Sequence, residues 1–376
     1  MIAIPGKSGE EAAIAAFIRE QLLNAGASDK HISFDQANRK SSIGGQCGNL
    51  IVKLPGNVRG PRRLLMGHID TVPLCVGCKP VRDGDYIKSA DPTTALGGDD
   101  RAGAAVVLNS ILMILKHDLP HPPLTLVWPV QEEVGLKGAA NITVSKLGNP
   151  KLCFNWDGGP PDHAVVGATG DYNIDIKING IASHAGGLPE HGVNAAAIAS
   201  VAISDLVENG WHGLIVKGKN TGTSNIGVVQ GGDATNVVMP ELTIQAEARS
   251  HDPKFRQRII NEFRKAFERA AKKISAVDGR KGSIEFGAQL KYESFRMKKS
   301  EPCLKVALDA VAAVGLEPAT RISNGGLDAN WLTAHGFPTV TLGCGQDAVH
   351  TVNEVLHVPN FLNACRIGLV LATGAV

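Results

Sequence analysis

The sequence predicts an α/β protein with a mostly parallel sheet flanked by helices, interrupted by an inserted ferredoxin-like α+β domain. Three observations carry this. Apolar strands at 64–70, 124–130 and 152–156 alternate with helical stretches, as in a parallel sheet covered on both faces. From about residue 169 the texture changes to strict alternation, as in YNIDIKI at 172–178, the mark of a strand with one face in solvent. After about residue 295 the first pattern resumes, so the middle segment is an insertion. The expected division is 1–168 with 295–376, and 169–294, and 376 residues suffice for two cores.

Ser8 and Glu11 form an S-x-x-E pattern ahead of Ala12, Ile14, Ala15, Ile18 and Leu22, which predicts a capped helix ended by Gly26. Strands follow at 49–54 and 64–70, separated by the turn-rich PGNVRGP. In LLMGHIDTVP, at 64–73, an apolar run ends at Gly67, and His68 and Asp70 stand two apart before Pro73 stops strand pairing. Residues two apart share a strand face, so Asp70 can orient the His68 imidazole. A His-x-Asp pair can serve a metal site in this way, but by itself it is more often a structural contact.

Next, LGGDDRAGAAVVL at 96–108 sets Gly97 and Gly98 before Asp99, Asp100 and a helix. Aspartates at that point cap a helix or face a site. The strand at 124–130 runs into Gln131, Glu132 and Glu133, and adjacent glutamates at the end of an apolar strand are poorly explained as a solvated face. The strand at 152–156 ends in Asp157, Gly158 and Gly159. His68, Asp99, the glutamate pair and Asp157 therefore fall at strand ends, where open parallel sheets bind ligands.

Within the insertion a strand at 172–178 leads to a helix at 194–207, then strands at 224–230 and 241–249, a helix at 253–273 and a strand at 283–292. In the second helix Phe255, Ile259, Phe263 and Phe267 recur every four residues behind Asp252 as N-cap and Pro253 in the first turn. The order βαββαβ is ferredoxin-like, and pairing the edge of so small a sheet with that of a second copy is one route to a dimer. The last segment predicts a helix at 302–314, the stretch SNGGLDANWLTAHG, a strand at 338–343, a loop with Asp347, His350 and Glu354, and a closing helix from 360. His350 follows a strand and a Gly-rich turn, as a ligand on the same edge would.

Composition narrows the partners. With 38 Lys+Arg against 36 Asp+Glu, the charge of +2 argues against nucleic acid or an anionic membrane as partner and favours a small molecule or peptide. No apolar run approaches a membrane span, and MIAIPGKSGEE lacks the regions of a signal peptide, so a cytoplasmic location is expected. Seven scattered cysteines suit a reducing compartment, and Cys75 and Cys78, a lone CxxC, are expected to be loop thiols.

Taken together, GHIDTVP, GGDDRAG, QEEVGLKGA, WDGG, SHAG, GGLDAN and the final His, in that order, resemble the M20 family of di-zinc metallopeptidases, and within it the peptidase T-like branch. The resemblance spans the chain from IPGKSGEE to HTVNEVLHVPNF. It implies a parallel-sheet di-zinc peptidase domain whose insertion is a lid and dimerisation domain, giving a homodimer. It also implies that His68, Asp99, Glu133, Asp157 and His350 bind two divalent ions per subunit, zinc or else cobalt or manganese, with Asp99 between them. Imidazole and carboxylate suit zinc, and paired ions activate a shared water and polarise a carbonyl.

By the same resemblance Glu132 is the general base, Asp70 orients His68, and the Asp99–Asp100 peptide bond is cis. His184 in ASHAG stabilises the oxyanion, in dimeric members from the partner subunit. Asn236, Arg249 and Asp328 match substrate-binding positions, where Arg249 would clamp a peptide carboxylate, with a surface ion pair as the other reading. Asp157 stands where carboxypeptidase and deacylase branches tend to carry Glu, which points to an aminopeptidase acting on di- or tripeptides. An N-acyl or carbamoyl amino acid amidohydrolase, and a non-catalytic peptide-binding relative, are the other expectations. Asn324 stands where T-type tripeptidases carry Arg, so the resemblance does not by itself imply that a tripeptide C-terminus is read in the same way.

Overall fold

The parallel pattern closes into one sheet. In the computed structural model, which describes residues 1–375, its four central strands run Leu124–Trp128, Arg63–Met66, Leu152–Trp156 and Thr339–Leu342, each parallel to its neighbour. Leu50–Leu54 and Ile32–Phe34 extend one side antiparallel, and His163–Ala168 with Phe295–Arg296 and Ala319–Ser323 completes the other. Every residue of Leu124–Trp128 and Leu152–Trp156 is buried, which is why these strands read as continuous apolar runs rather than as alternation.

The chain divides into two compact units, one from residues 1–168 together with 295 onward and the other from 169–294. In the first, the helices Ala12–Asn24, Gly98–His117, Pro302–Ala313 and Val358–Thr373 contribute to a core that contains Ile14, Ile18, Trp128, Phe154 and Trp156. The strand end and the long helix meet at two glycines. A Cβ on Gly67 would lie 2.7 Å from the Gly103 carbonyl carbon and 2.8 Å from the Ala104 nitrogen, so only glycine lets the segment bearing His68 approach that helix. A separate four-stranded sheet pairs Pro80–Asp83 and Tyr86–Ser89 with Val355–His357 and Gln346–Asp347.

The second unit is an antiparallel sheet in the order Gly213–Lys217, Asn220–Gly231, Glu241–Ser250, Gly170–Asn179, Ser283–Tyr292, with the helices Ala195–Glu208 and Pro253–Lys273. Asn194 and Asp252 cap the two helices through their side chains. The Phe stripe of Pro253–Lys273 is buried with Ile174, Ile176 and Ile178. The sheet has one strand more than the ferredoxin order predicts. Gly213–Lys217 forms a hairpin with Asn220–Gly231 at the edge, and Leu214 and Val216 face solvent there, so the burial pattern that would mark the strand is muted.

One local expectation fails. Glu11 takes the N-cap position of Ala12–Asn24 but makes no side-chain capping bond, and the S-x-x-E pair is engaged elsewhere. The Ser8 hydroxyl donates to Asp70 Oδ2 at 2.6 Å, and Glu11 Oε1 accepts from the N–H groups of Gly9 at 2.7 Å and Gln131 at 3.2 Å. Long-range partners outcompete the reciprocal cap because they satisfy buried polar groups, which a solvated helix end does not require.

Glu11 has an observable consequence. Burial, with a smaller push from the Asp70 charge, raises its carboxyl to about 7 against its backbone hydrogen bonds. Its folded pKa thus lies above the unfolded carboxylate value, so its contribution to stability is complete at acid pH and is lost as pH rises through about 7. Glu11→Gln keeps an acceptor for both N–H groups and stays neutral. At pH 8 it is expected to be more stable than wild type by about 1–3 kcal/mol, with no gain at pH 4. Urea unfolding at the two pH values checks this, and equal shifts at both would show that Glu11 does not titrate in the folded chain.

Candidate metal centre and active site

Three parallel strands end in the residues of interest. Arg63–Met66 leads to His68 and Asp70, Leu124–Trp128 to Glu132 and Glu133, and Leu152–Trp156 to Asp157. His68 and Asp70 stand beyond the end of the strand rather than within it. The Asp70 carboxylate, fully buried, gathers the surrounding segments. It accepts from the Ser8 hydroxyl, from the Glu132 N–H at 2.9 Å and from the Glu133 N–H at 3.2 Å, and its Oδ1 lies 3.4 Å from His68 Nδ1. The same ring nitrogen is 3.1 Å from the Asp70 carbonyl oxygen. The imidazole is therefore held through Nδ1, leaving Nε2 to face Asp99.

Asp99 addresses two imidazoles with two different oxygens. Its Oδ1 is 3.4 Å from His68 Nε2, and its Oδ2 is 3.3 Å from His350 Nε2. Glu133 Oε2 lies 2.8 Å from the same His350 nitrogen. Ligand atoms of His68, Asp99 and Glu133 all fall within 4.8 Å of one another. The Asp99–Asp100 peptide bond is cis, as the resemblance implies. Asp157 ends its strand with its N–H on the Leu342 carbonyl at 3.0 Å, and its carboxyl feels the charges of Asp99, Asp328 and Glu133.

The electrostatics follow from this crowding. Burial opposes ionisation of Asp99, yet the His350 and His68 imidazoles overcome it and hold the carboxyl well below the usual range. Reciprocally, Asp99 and Glu133 raise His350 to about 10. Burial lowers the affinity of His68 for a proton, and Asp70 and Asp99 more than reverse this, raising it well above the ordinary value. Burial pushes Glu132 and Asp157 upward, with neighbouring carboxylates adding to it.

A concentration of carboxylates that holds protons on two histidines is also one that suits cations. Asp99 Oδ1 and Glu133 Oε1 are buried with no hydrogen-bond partner among the described residues, so each is an acceptor available for a ligand. Imidazole nitrogen and carboxylate oxygen are the donors that zinc and other first-row divalent ions take. The ligand atoms of His68, Asp99 and Glu133, with His350 beside them, are thus of the kind and closeness that suit a divalent ion.

Asp328 opens the helix Asp328–Ala334 and is buried, with neither carboxylate oxygen hydrogen-bonded among the described residues. Burial raises it to about 7, and its charge in turn raises Glu132 and Asp157. In the second unit His184 is exposed, and its Nδ1 accepts from the N–H groups of Gly186 at 3.2 Å and Gly187 at 2.9 Å. Asn236 is exposed in the same unit, its carbonyl accepting from the Ala185 N–H. The Arg249 guanidinium grips Glu247 with two bonds, at 2.9 and 2.8 Å, and lies 3.6 Å from Asp171, so its fork is engaged by the ion pair.

Several contributors escape a reading of motifs. Asp100 is buried and held well above the usual carboxylate range by burial, with Asp157 and Asp99 adding to it, and Gly103 N–H and Gln346 Nε2 bond its Oδ1. Glu354 bonds the Gly97 and Asp99 N–H groups. The one sequence signal for Glu354 is an acid four residues after a candidate ligand and next to an apolar run. Cys75 and Cys78 are buried free thiols, with Cys75 pushed up to about 12 by burial, and Pro73–Cys75 forms a single 3₁₀ turn.

Comparison with known proteins adds two family matches and three structural relatives. The family description Peptidase dimerisation domain matches residues 167–275, and M42 glutamyl aminopeptidase matches residues 81–171. A tripeptidase from Staphylococcus aureus is 30% identical, with a TM-score of 0.87, over 99% of this chain and 95% of that one. Aminopeptidase PepT from Bacillus cereus is 30% identical, with a TM-score of 0.83, over 99% of this chain and 95% of its own. At 17% identity and a TM-score of 0.68, over 99% of this chain and 94% of that one, the fold is also that of a dinuclear metal binding peptidase from Bacillus subtilis.

Proposed function

The chain belongs to the M20 peptidase family, in its peptidase T-like branch, and we propose that this hydrolase is a metal-dependent aminopeptidase that removes the N-terminal residue of di- and tripeptides. The observation that carries the reading is the division of Asp99 between His68 and His350, one carboxylate oxygen to each. In this reading His68, Asp99, Glu133, Asp157 and His350 would hold two divalent ions, zinc or else cobalt or manganese. When bound, the ions supply an activated water and a polarised scissile carbonyl.

The rest is done by side chains of this protein. Glu132 takes the proton of the attacking water on its carboxylate and returns it to the leaving amine. Asp70 sets the His68 ring and the main chain of both glutamates. Asp328, a buried carboxylate whose oxygens have no hydrogen-bond partner among the described residues, receives the free α-ammonium of the substrate. His184 donates to the developing oxyanion, and Asn236 and Arg249 contact the substrate, Arg249 by exchanging Glu247 for the peptide carboxylate.

Residues 169–294 serve as lid and dimerisation domain of a homodimer, which the dimerisation-domain match supports, and residues 1–168 with 295–376 form the catalytic domain. Seven free cysteines support a cytoplasmic location, and no helix among the described residues is long and apolar enough to cross a membrane.

The deciding measurement compares a free tripeptide with its N-acetylated twin, using enzyme loaded with zinc, cobalt or manganese. Cleavage of the free form alone is expected. Release of acetate from the blocked form would make the chain an acyl amino acid hydrolase, and turnover of neither substrate with any metal would count against the aminopeptidase reading.

A further inference from the structure

Glu354 lies four residues after His350 and is only 2% exposed. Its carboxylate reaches a distant part of the chain. Oε1 accepts the Asp99 N–H at 2.9 Å, and Oε2 accepts the Gly97 N–H at 2.7 Å, across separations of 255 and 257 residues. The two donors flank Gly98, where a Cβ would come within 3.2 Å of Oε1, so the backbone wraps closely around the carboxylate.

Such a grip matters because neither segment is held by regular structure. Asp99 and Asp100 have non-helical dihedrals at the start of Gly98–His117, so the helix does not by itself orient the Asp99 N–H. His350 is left-handed, with φ of 63°, and its side chain is 48% exposed, on a turn closed by Thr351 Oγ1 to the Ala348 carbonyl and by the Glu354 N–H to the Thr351 carbonyl. That turn runs directly from His350 into the buried Glu354.

We propose that Glu354 is a positioning residue for one of the two ion positions, the one formed by Asp99 Oδ2, Glu133 and His350. It sets the main chain of Asp99 against the turn that carries His350, so that two of the three donors at this position depend on it. The other position shares Asp99 through Oδ1, but its remaining donors have separate supports. Asp70 holds the His68 ring, and the Leu342 carbonyl holds the Asp157 N–H. Removing Glu354 therefore weakens the two positions unequally. A carboxylate that merely favoured the positive end of a helix would lower stability and leave the two ions equally affected.

This inference rests on the two-ion reading above, and the test separates them. Full-length protein stripped of metal is titrated with zinc chloride by calorimetry, and its zinc content is measured after dialysis. Wild type is expected to take up two ions. Glu354→Ala is expected to bind the ion at this position about 10–100-fold more weakly, the usual cost of losing a group that orients a ligand, and the ion at the other position, where only Asp99 depends on Glu354, by a clearly smaller factor.

Glu354→Gln keeps the side chain's size but only one acceptor, its amide facing the second N–H. It is expected to weaken the same ion about 10-fold, and it carries the test if the alanine variant does not fold. Wild type with two ions and a Gln variant that binds both as tightly overturns the inference alone, as does equal weakening of both ions. Wild type that takes up no zinc removes the metal centre, and the inference falls with it.

Discussion

Glu132→Gln is expected to lower kcat on a free tripeptide by roughly 10²–10⁴-fold while leaving zinc content at the wild-type level. Glutamine keeps the size of the side chain and the Glu132 N–H bond to Asp70, so the strand end stays in place. What it loses is a carboxylate able to accept a proton. Burial gives Glu132 a strong hold on that proton, and Asp157, Asp328 and Glu133 add to it against the opposing charge of His68. A carboxylate in this setting takes a proton more readily than a solvated one does. Steady-state kinetics with metal analysis reads the outcome. A loss below tenfold would remove Glu132 from the chemistry, and a loss of zinc would make it a ligand.

His184→Ala is expected to cost roughly 10²–10³-fold in kcat, again with zinc content unchanged. Two backbone N–H groups point at His184 Nδ1, which must therefore present a lone pair, and the ring proton of the neutral imidazole resides on Nε2. The side chain thus offers a single fixed donor from an exposed position, the form an oxyanion requires. Unchanged kcat would confine His184 to shaping the Gly186–Gly187 turn. Mixing the His184→Ala and Glu132→Gln proteins tests where the donor acts. If it serves the partner subunit's site, a mixed dimer contains one complete site and activity partly returns, whereas action within its own subunit leaves the mixture inactive.

The residues at the ends of the parallel strands were legible at the level of single strands. An apolar run of the kind at 64–66, 124–128 or 152–156 is buried on both faces, so a His, a Glu pair or an Asp at its end has few places to go except the open edge of the sheet. The Phe stripe of Pro253–Lys273 was legible for the same kind of reason, since a four-residue repeat of large apolar groups leaves one helix face to bury. Local rules misled where a stronger distant partner existed. Ser8 and Glu11 have the spacing of a capping box, but Asp70 and the Gln131 N–H, 62 and 120 residues away, take them instead. Arg249 illustrates the same competition, because its fork is matched by Glu247 two residues away on the same strand.

By itself the sequence determined the central parallel strands, the main helices, the place of the insertion and the residue types carried to the ends of those strands. Those follow from the period of the apolar positions and from the cost of burying a charge, which act on neighbouring residues. Only the tertiary structure decided which oxygen of Asp99 faces which histidine, that Asp70 gathers Ser8, His68 and both glutamates, and that Glu354 grips the main chain on either side of Gly98. These pairings join positions up to 257 residues apart. They are settled by which buried donor finds which buried acceptor once the sheet has formed, a competition that no local spacing records.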